Sequence, residues 1–191
     1  MPGAVHLTTQ RLELRRFTEH DADLLVELDS DPAVMHFING GRPTPREEIV
    51  TDVLPHYLDW HERSDRYGFF AAVERGTGEF LGWFHFRPAK DAPDDEPELG
   101  YRLRRDAWGK GYAAEGARAL VDAGFREHGV RRVVAETMVV HTASRRVMEK
   151  AGLRLVRTFH QPWPDRIPGD EHGDVQYALT REEWLATQER R

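Results

Sequence analysis

Residues 107–116 read Ala-Trp-Gly-Lys-Gly-Tyr-Ala-Ala-Glu-Gly, and Gly109 and Gly111 flank Lys110 where a strand-like segment gives way to a helix pattern. A helix N-terminus presents free N–H groups and a partial positive charge, and glycines let an anion approach the main chain. The chemistry suggested is phosphate binding. Gly109 to Ala114 formally fits the G-x-G-x-x-G/A fingerprint of a dinucleotide site. The context differs, since antiparallel strands precede the motif and the next strand ends in Val139-Val140-His141 without the expected acid. A plain strand-to-helix turn without ligand is the remaining structural alternative.

Among titratable groups, His85 has an intrinsic pKa suited to a base near neutral pH. Glu98 closes an acidic stretch with Asp94, Asp95 and Glu96, which reads equally as a solvated surface. A polar loop, 162–174, carries Asp165, Asp170, Glu171 and Asp174, which could receive a cationic amine or simply face water. His56 and His61 are five apart and His160 and His172 twelve apart, so no metal site is expected.

The elements that must position these groups fit one α/β domain over 1–191. Hydrophobic residues are 39% and charged residues 31%, and the longest apolar runs fall far short of the ~20 residues that span a bilayer. No membrane partner and a cytoplasmic location are expected. The absence of cysteine removes disulfides, thiolate metal ligands and a cysteine nucleophile. A net charge of −6 argues against nucleic acid as a partner. A homodimer is compatible with all of this.

Along the chain, 12–17 reads as a first strand, and Thr18 caps a helix bearing Ala22, Leu24, Leu25 and Leu28. A short helical piece, 33–37, precedes Asn39-Gly40-Gly41. Thr44-Pro45-Arg46-Glu47 predicts an N-cap, a first-position proline and a capping box, with Pro55 kinking or dividing the helix that follows. Strands at 66–74 and 79–88 flank the hairpin signal Gly76-Thr77-Gly78. A third strand then leads to the glycine loop. The helix after it ends at Gly129, and 130–140 reads as a strand buried on both faces. A helix over 143–151, strands at 153–159 and 173–180, and a short tail complete the order. A mixed sheet is predicted, antiparallel first and parallel in the centre, with about four helices.

The segments ELGYRLRRDAWGKGYAAEGARAL, VHTASRRVMEKAGLRLV and GDVQYALTREEW, with QRLELRRF before them, together resemble the GNAT acetyltransferase superfamily. Within it they look most like the RimJ/RimL branch, whose loop carries Trp, as at Trp108, in place of the usual Arg or Gln. The resemblance implies acetyl-CoA as cosubstrate and a primary amine as acceptor, either a peptide N-terminus or a small molecule. It places the pyrophosphate on the stretch Trp108, Gly109, Lys110, Gly111, Tyr112 and Ala113. It pairs the pantetheine arm with the strand Gly100-Tyr101-Arg102-Leu103, the Leu103 N–H holding the thioester carbonyl, and it places Arg104 at the cofactor as well.

With no cysteine, direct attack in a ternary complex is the simplest route, and it needs a base, an oxyanion donor and a proton for the leaving thiol. The resemblance makes Glu98 the first candidate base and Ser144 the group assisting the thiol, and His85, on the neighbouring strand, is the second base candidate on its intrinsic pKa. Ser144 could equally satisfy backbone N–H groups at the helix start. The branch's Asn is His141 here, expected against the cofactor, and the superfamily's tyrosine acid falls on Met148. Those two departures motivate an alternative, an acyl-CoA-binding or sensing domain without catalysis. The acceptor side is expected from His36, Asn39, Trp83, His85 and Asp174.

Overall fold

The computed structural model describes residues 2–189; the two final residues of the C-terminal tail lie outside them. The first strand is not the one at residue 12. Val5–Thr8 forms β1, a short edge strand antiparallel to β2 (Leu12–Arg16), too brief to show an alternation in sequence. After β2 a 3₁₀ turn, Glu19–Asp21, carries Asp21, whose carboxylate accepts from Thr18 N–H and from Arg15 at 2.8 Å. Helices α1 (Ala22–Ser30) and α2 (Pro32–Asn39) follow, and α2 ends on Gly40 at φ 80°.

The expected capping box at Thr44 does not form. Pro45 is the N-cap of α3 (Arg46–Glu48), and Thr44 Oγ1 instead donates to Asp29 Oδ2 at 2.8 Å. Asp29 is buried against Arg102, and its charge recruits the hydroxyl more strongly than a solvent-exposed helix end does. The helical run passes through a π segment, Ile49–Val53, into α4 (Leu54–Arg63), and Pro55 falls in the first turn after that change of hydrogen-bonding pattern.

Strands β3 (Gly68–Glu74), β4 (Phe80–Pro88) and β5 (Pro97–Leu103) form the antiparallel run. Helix α5 (Tyr112–Glu127), β6 (Arg132–Met138), α6 (Thr142–Lys150), β7 (Arg154–Phe159), β8 (Asp174–Thr180) and α7 (Arg181–Gln188) complete the chain. The sheet order is β1-β2-β3-β4-β5-β6-β8-β7. Parallel pairing is narrower than the sequence implied: it is confined to β5 against β6, at Glu98 opposite Val134, while β6 pairs antiparallel with β8. Helical segments also exceed the expected four, because the early chain divides into several short ones.

Alternating side chains separate two cores. On one face Phe84, Phe86, Leu99, Leu120, Phe125 and Tyr177 pack beneath α5 and α6. On the other Phe17, Leu25, Leu28, Tyr57, Phe69 and Trp83 pack beneath α1 to α4. A fully buried phenylalanine contributes roughly 2–3 kcal/mol. Helix α5 lies tight on the sheet because Gly116 and Gly124 sit over the ring tips of Phe84 and Phe86, where a Cβ would overlap.

Candidate active site

One cavity of about 1140 Å³ opens between α2, β4, β5, β6 and the N-termini of α5 and α6. Its floor is created by the divergence of β5 from β6 after their single rung. Arg104 N–H bonds to Leu81 O at 2.8 Å, so antiparallel alternation leaves Tyr101 and Leu103 among the pairs not bonded to β4. Their N–H and C=O groups point into the gap that β6 has left. Trp108 Nε1–H reaches back to Leu103 O at 2.8 Å, which occupies that carbonyl and leaves the Leu103 N–H facing the cavity.

The loop after β5 is a cradle of donors. Gly109 and Gly111 have φ of 70° and 85°, a region that costs other residues about 1–2 kcal/mol. Among the described residues the N–H groups of Gly109, Lys110 and Gly111 have no protein acceptor. Tyr112, Ala113 and Ala114 then begin α5, whose first-turn donors are free by geometry and which no side chain caps. The loop is held rigidly from behind. Arg11 donates to Glu115 Oε2 at 2.7 Å and to Lys110 O at 2.9 Å, and its guanidinium lies 4.3 Å from the Tyr112 ring centroid. Tyr112 OH bonds Glu74 at 2.6 Å. These donors fit a pyrophosphate, and the unpaired edge of β5 fits an extended amide-bearing arm; both are what coenzyme A presents.

Facing the other core, His85 Nε2 lies 3.3 Å from Glu98 Oε1. Gly100, opposite His85 on β5, has no room for a Cβ because the imidazole occupies that space. Burial pushes the His85 pKa down, against the opposing influence of Glu98, so the ring is neutral at pH 7. Burial pushes the Glu98 carboxyl up, but contact with His85 and the Arg87 charge outweigh it, and the net shift is downward. The pair is therefore a carboxylate beside a neutral imidazole, both able to accept a proton.

On the opposite side of β5, Tyr101 OH donates to Ser144 O at 2.8 Å and lies 3.1 Å from Ser144 Oγ. Burial raises the Tyr101 pKa well above the ordinary phenol value, so it stays protonated and remains a donor. Ser144 itself is buried and serves no cap. His141, the N-cap residue of α6, stacks on Phe37 of α2 with centroids 4.1 Å apart and closes the cavity there. Burial, then the His36 charge, lowers the His141 pKa to about 4.

Of the residues expected at the site, His36, Trp83, His85, Glu98, Tyr101, Leu103, Trp108, Gly109, Gly111, Tyr112, Ala113, His141, Ser144 and Asp174 line this cavity. Three do not. Asn39 is committed to the α2 exit turn, bonding Arg42 N and O at 2.9 Å. Arg104 turns toward Glu27, Glu79 and Asp106. Lys110 contributes its backbone, its carbonyl held by Arg11. Met148 is buried, 2% exposed, at the cavity wall. Sequence reasoning missed the Arg11 clamp, the Tyr101 hydroxyl and Trp163; only Gly100 carried a local sign, a glycine in a strand.

The acetyltransferase (GNAT) domain profile matches residues 11–154. FsC-acetyl coenzyme A-N(2)-transacetylase of Aspergillus fumigatus is 38% identical over 188 residues, covering 95% of this chain and 79% of that protein. A GNAT-family acetyltransferase from Bacillus anthracis superposes with a TM-score of 0.73 at 26% identity, covering 93% of this chain and 99% of that one. The ribosomal alpha-N-protein acetyltransferase RimL, solved in complex with coenzyme A, has a TM-score of 0.75 at 22% identity, covering 94% and 99%, and shares the fold. No helix among the described residues is long and apolar enough to cross a membrane. With the cradle, the open strand edge and the acid–base groups in one cavity, the chain belongs to the GNAT family of acetyltransferases.

Proposed function

We propose that this enzyme transfers the acetyl group of acetyl-CoA to a primary amine by direct attack, without an acyl-enzyme. The carrying observation is that the free donors of Gly109–Ala114, the unpaired edge at Tyr101 and Leu103, and the ionised Glu98 open into one cavity. Bound acetyl-CoA supplies a thioester carbonyl and a thiol leaving group. The cradle and the edge of β5 hold its pyrophosphate and arm, and the Leu103 N–H is placed to accept the developing oxyanion charge. Glu98, with His85 beside it, takes the proton that an ammonium must lose before it attacks. Tyr101 OH, already a donor toward Ser144, returns a proton to the departing thiolate.

A coupled thiol-release assay over a panel of primary amines tests the reading. Turnover is expected with wild type, and Glu98→Gln should lower kcat by roughly 10²–10⁴-fold while acetyl-CoA still binds. Undiminished kcat in that variant would transfer the base role to His85 or water. Absence of thiol release with every amine would refute acetyl transfer.

A further inference from the structure

Asp174 is not needed for any step above, yet it occupies the most demanding position in the cavity. It is 2% exposed, lines the acceptor half, and its Oδ2 is buried without a hydrogen-bond partner. A buried, unsatisfied carboxylate oxygen costs stability, so its persistence points to a partner that arrives from outside. Register places it on the same sheet face as the proton acceptors. Asp174 stands opposite Met138 on β6, Glu98 is level with Val134 four residues earlier, and His85 and Trp83 face this side from β4.

Four residues along a strand and two strand spacings across put the Glu98 and Asp174 backbones roughly 16 Å apart. One ammonium cannot satisfy both. The charges of the cavity are also divided. Arg146 and Lys150 lie on α6, toward the cofactor half, whereas the acceptor half carries Glu98, Glu136 and Asp174. Among the described residues the arginine on that side, Arg102, is already paired with Asp29 at 2.6 Å. Trp83 and Trp163 add aromatic faces, which suit a cation with an apolar body. Burial raises the Asp174 pKa, hydrogen bonds from Trp163 and Gln161 pull the other way, and a docked cation would favour its ionised form further.

The loop that bears these groups is fastened over α2. Arg42 pairs with Asp165 at 2.7 Å, and Ile167, 4% exposed, lies against Gly40. Asp170 secures the loop internally, accepting from Ile167 N–H at 3.1 Å and from Arg166 at 2.7 Å. The wall is therefore built, not an incidental surface.

Resting on the acetyl-transfer reading above, we propose that the acceptor is a diamine-like molecule, one amine acetylated beside Glu98 and a second cationic group held by Asp174. The test is steady-state kinetics with acetyl-CoA and a homologous series of α,ω-diaminoalkanes, each against the alkyl monoamine of the same length. Wild type should favour diamines within one band of lengths by roughly tenfold or more in kcat/KM. In Asp174→Asn that ratio should fall to near one, and the melting temperature should equal or exceed that of wild type, because a buried carboxylate has been replaced by a neutral amide of the same shape. A diamine preference that survives Asp174→Asn overturns the proposal. So does a wild type that acetylates monoamines equally well, or a variant that melts far below wild type, which would make the carboxylate structural. If no amine of either kind is turned over, acetyl transfer itself fails first.

Discussion

The two halves of the cavity are made of different material. The half that the acetyl-transfer proposal gives to the cofactor is mostly backbone: free N–H groups at the start of α5, an unpaired strand edge, and two glycines held at positive φ. The acceptor half is mostly side chains drawn from α2, β4, β6, β8 and the 160–170 loop. Backbone recognition suits a ligand that never changes, because its donors are set by the fold and tolerate few substitutions. Side-chain recognition can be altered one residue at a time without disturbing that frame.

Breaking the backbone half should have the largest effect. Gly111→Val forces a β-branched residue to φ 85° and crowds Arg11, so the Arg11 clamp and the donors of the cradle are displaced together. Calorimetry should show acetyl-CoA affinity lowered roughly hundredfold or more, with the far-UV spectrum of a folded protein retained. Unchanged affinity would mean that the cradle lies elsewhere.

A smaller effect is expected at the boundary between the halves. Tyr101→Phe removes a hydroxyl but keeps the ring in its core, and kcat should fall about tenfold to hundredfold with little change in either KM. The loss should shrink for thioesters with more acidic thiols, which need less help to leave. An equal loss across all thioesters would assign the hydroxyl to positioning Ser144 and α6.

The smallest effect concerns the stack that closes the cavity. The folded-state pKa of His141 is about 4 against an ordinary 6.5, so between those values the unfolded chain holds the extra proton. Stability therefore rises with pH across that window: the contribution is complete above 6.5 and lost as pH falls toward 4. His141→Phe keeps the aromatic contact with Phe37 and should make the melting temperature less sensitive to acid over this range. His6, lowered to about 4 by burial and then by Arg16, would supply part of the slope that remains, together with His56, His61, His85 and His128, whose pKa values burial also lowers. An unaltered slope in His141→Phe would show that the ring is not buried from protons in solution.

How much of this was legible in the sequence follows the same division. Gly109, Gly111 and the alanines of α5 announced the cradle because local conformation and helix polarity demand those residue types. Register around β5 followed from alternation. The Arg11–Glu115 clamp left no local sign, because its partners are 104 residues apart and an Arg or a Glu on a surface is ordinary. Arg104 and Asn39 looked suitable by type and place, yet nearer partners in the folded chain claimed both. The failed cap at Thr44 has the same cause: a buried carboxylate from α1 outcompeted a short-range rule. Asp174 was expected on the acceptor side by type and place, but its burial, which it shares with Asp170, left no sign in a loop that reads as polar throughout.

The single rung between β5 and β6 has a mechanical consequence. Strands β1 to β5 form one ladder and β6, β8 and β7 another, and between them only Glu98 and Val134 are in register. The sheet is thus two ladders joined by one rung, and the shared core beneath α5 and α6 holds them together across the opening. A ligand arm lying along Tyr101 and Leu103 would act as the missing strand, so the enzyme completes its own architecture only while it is at work.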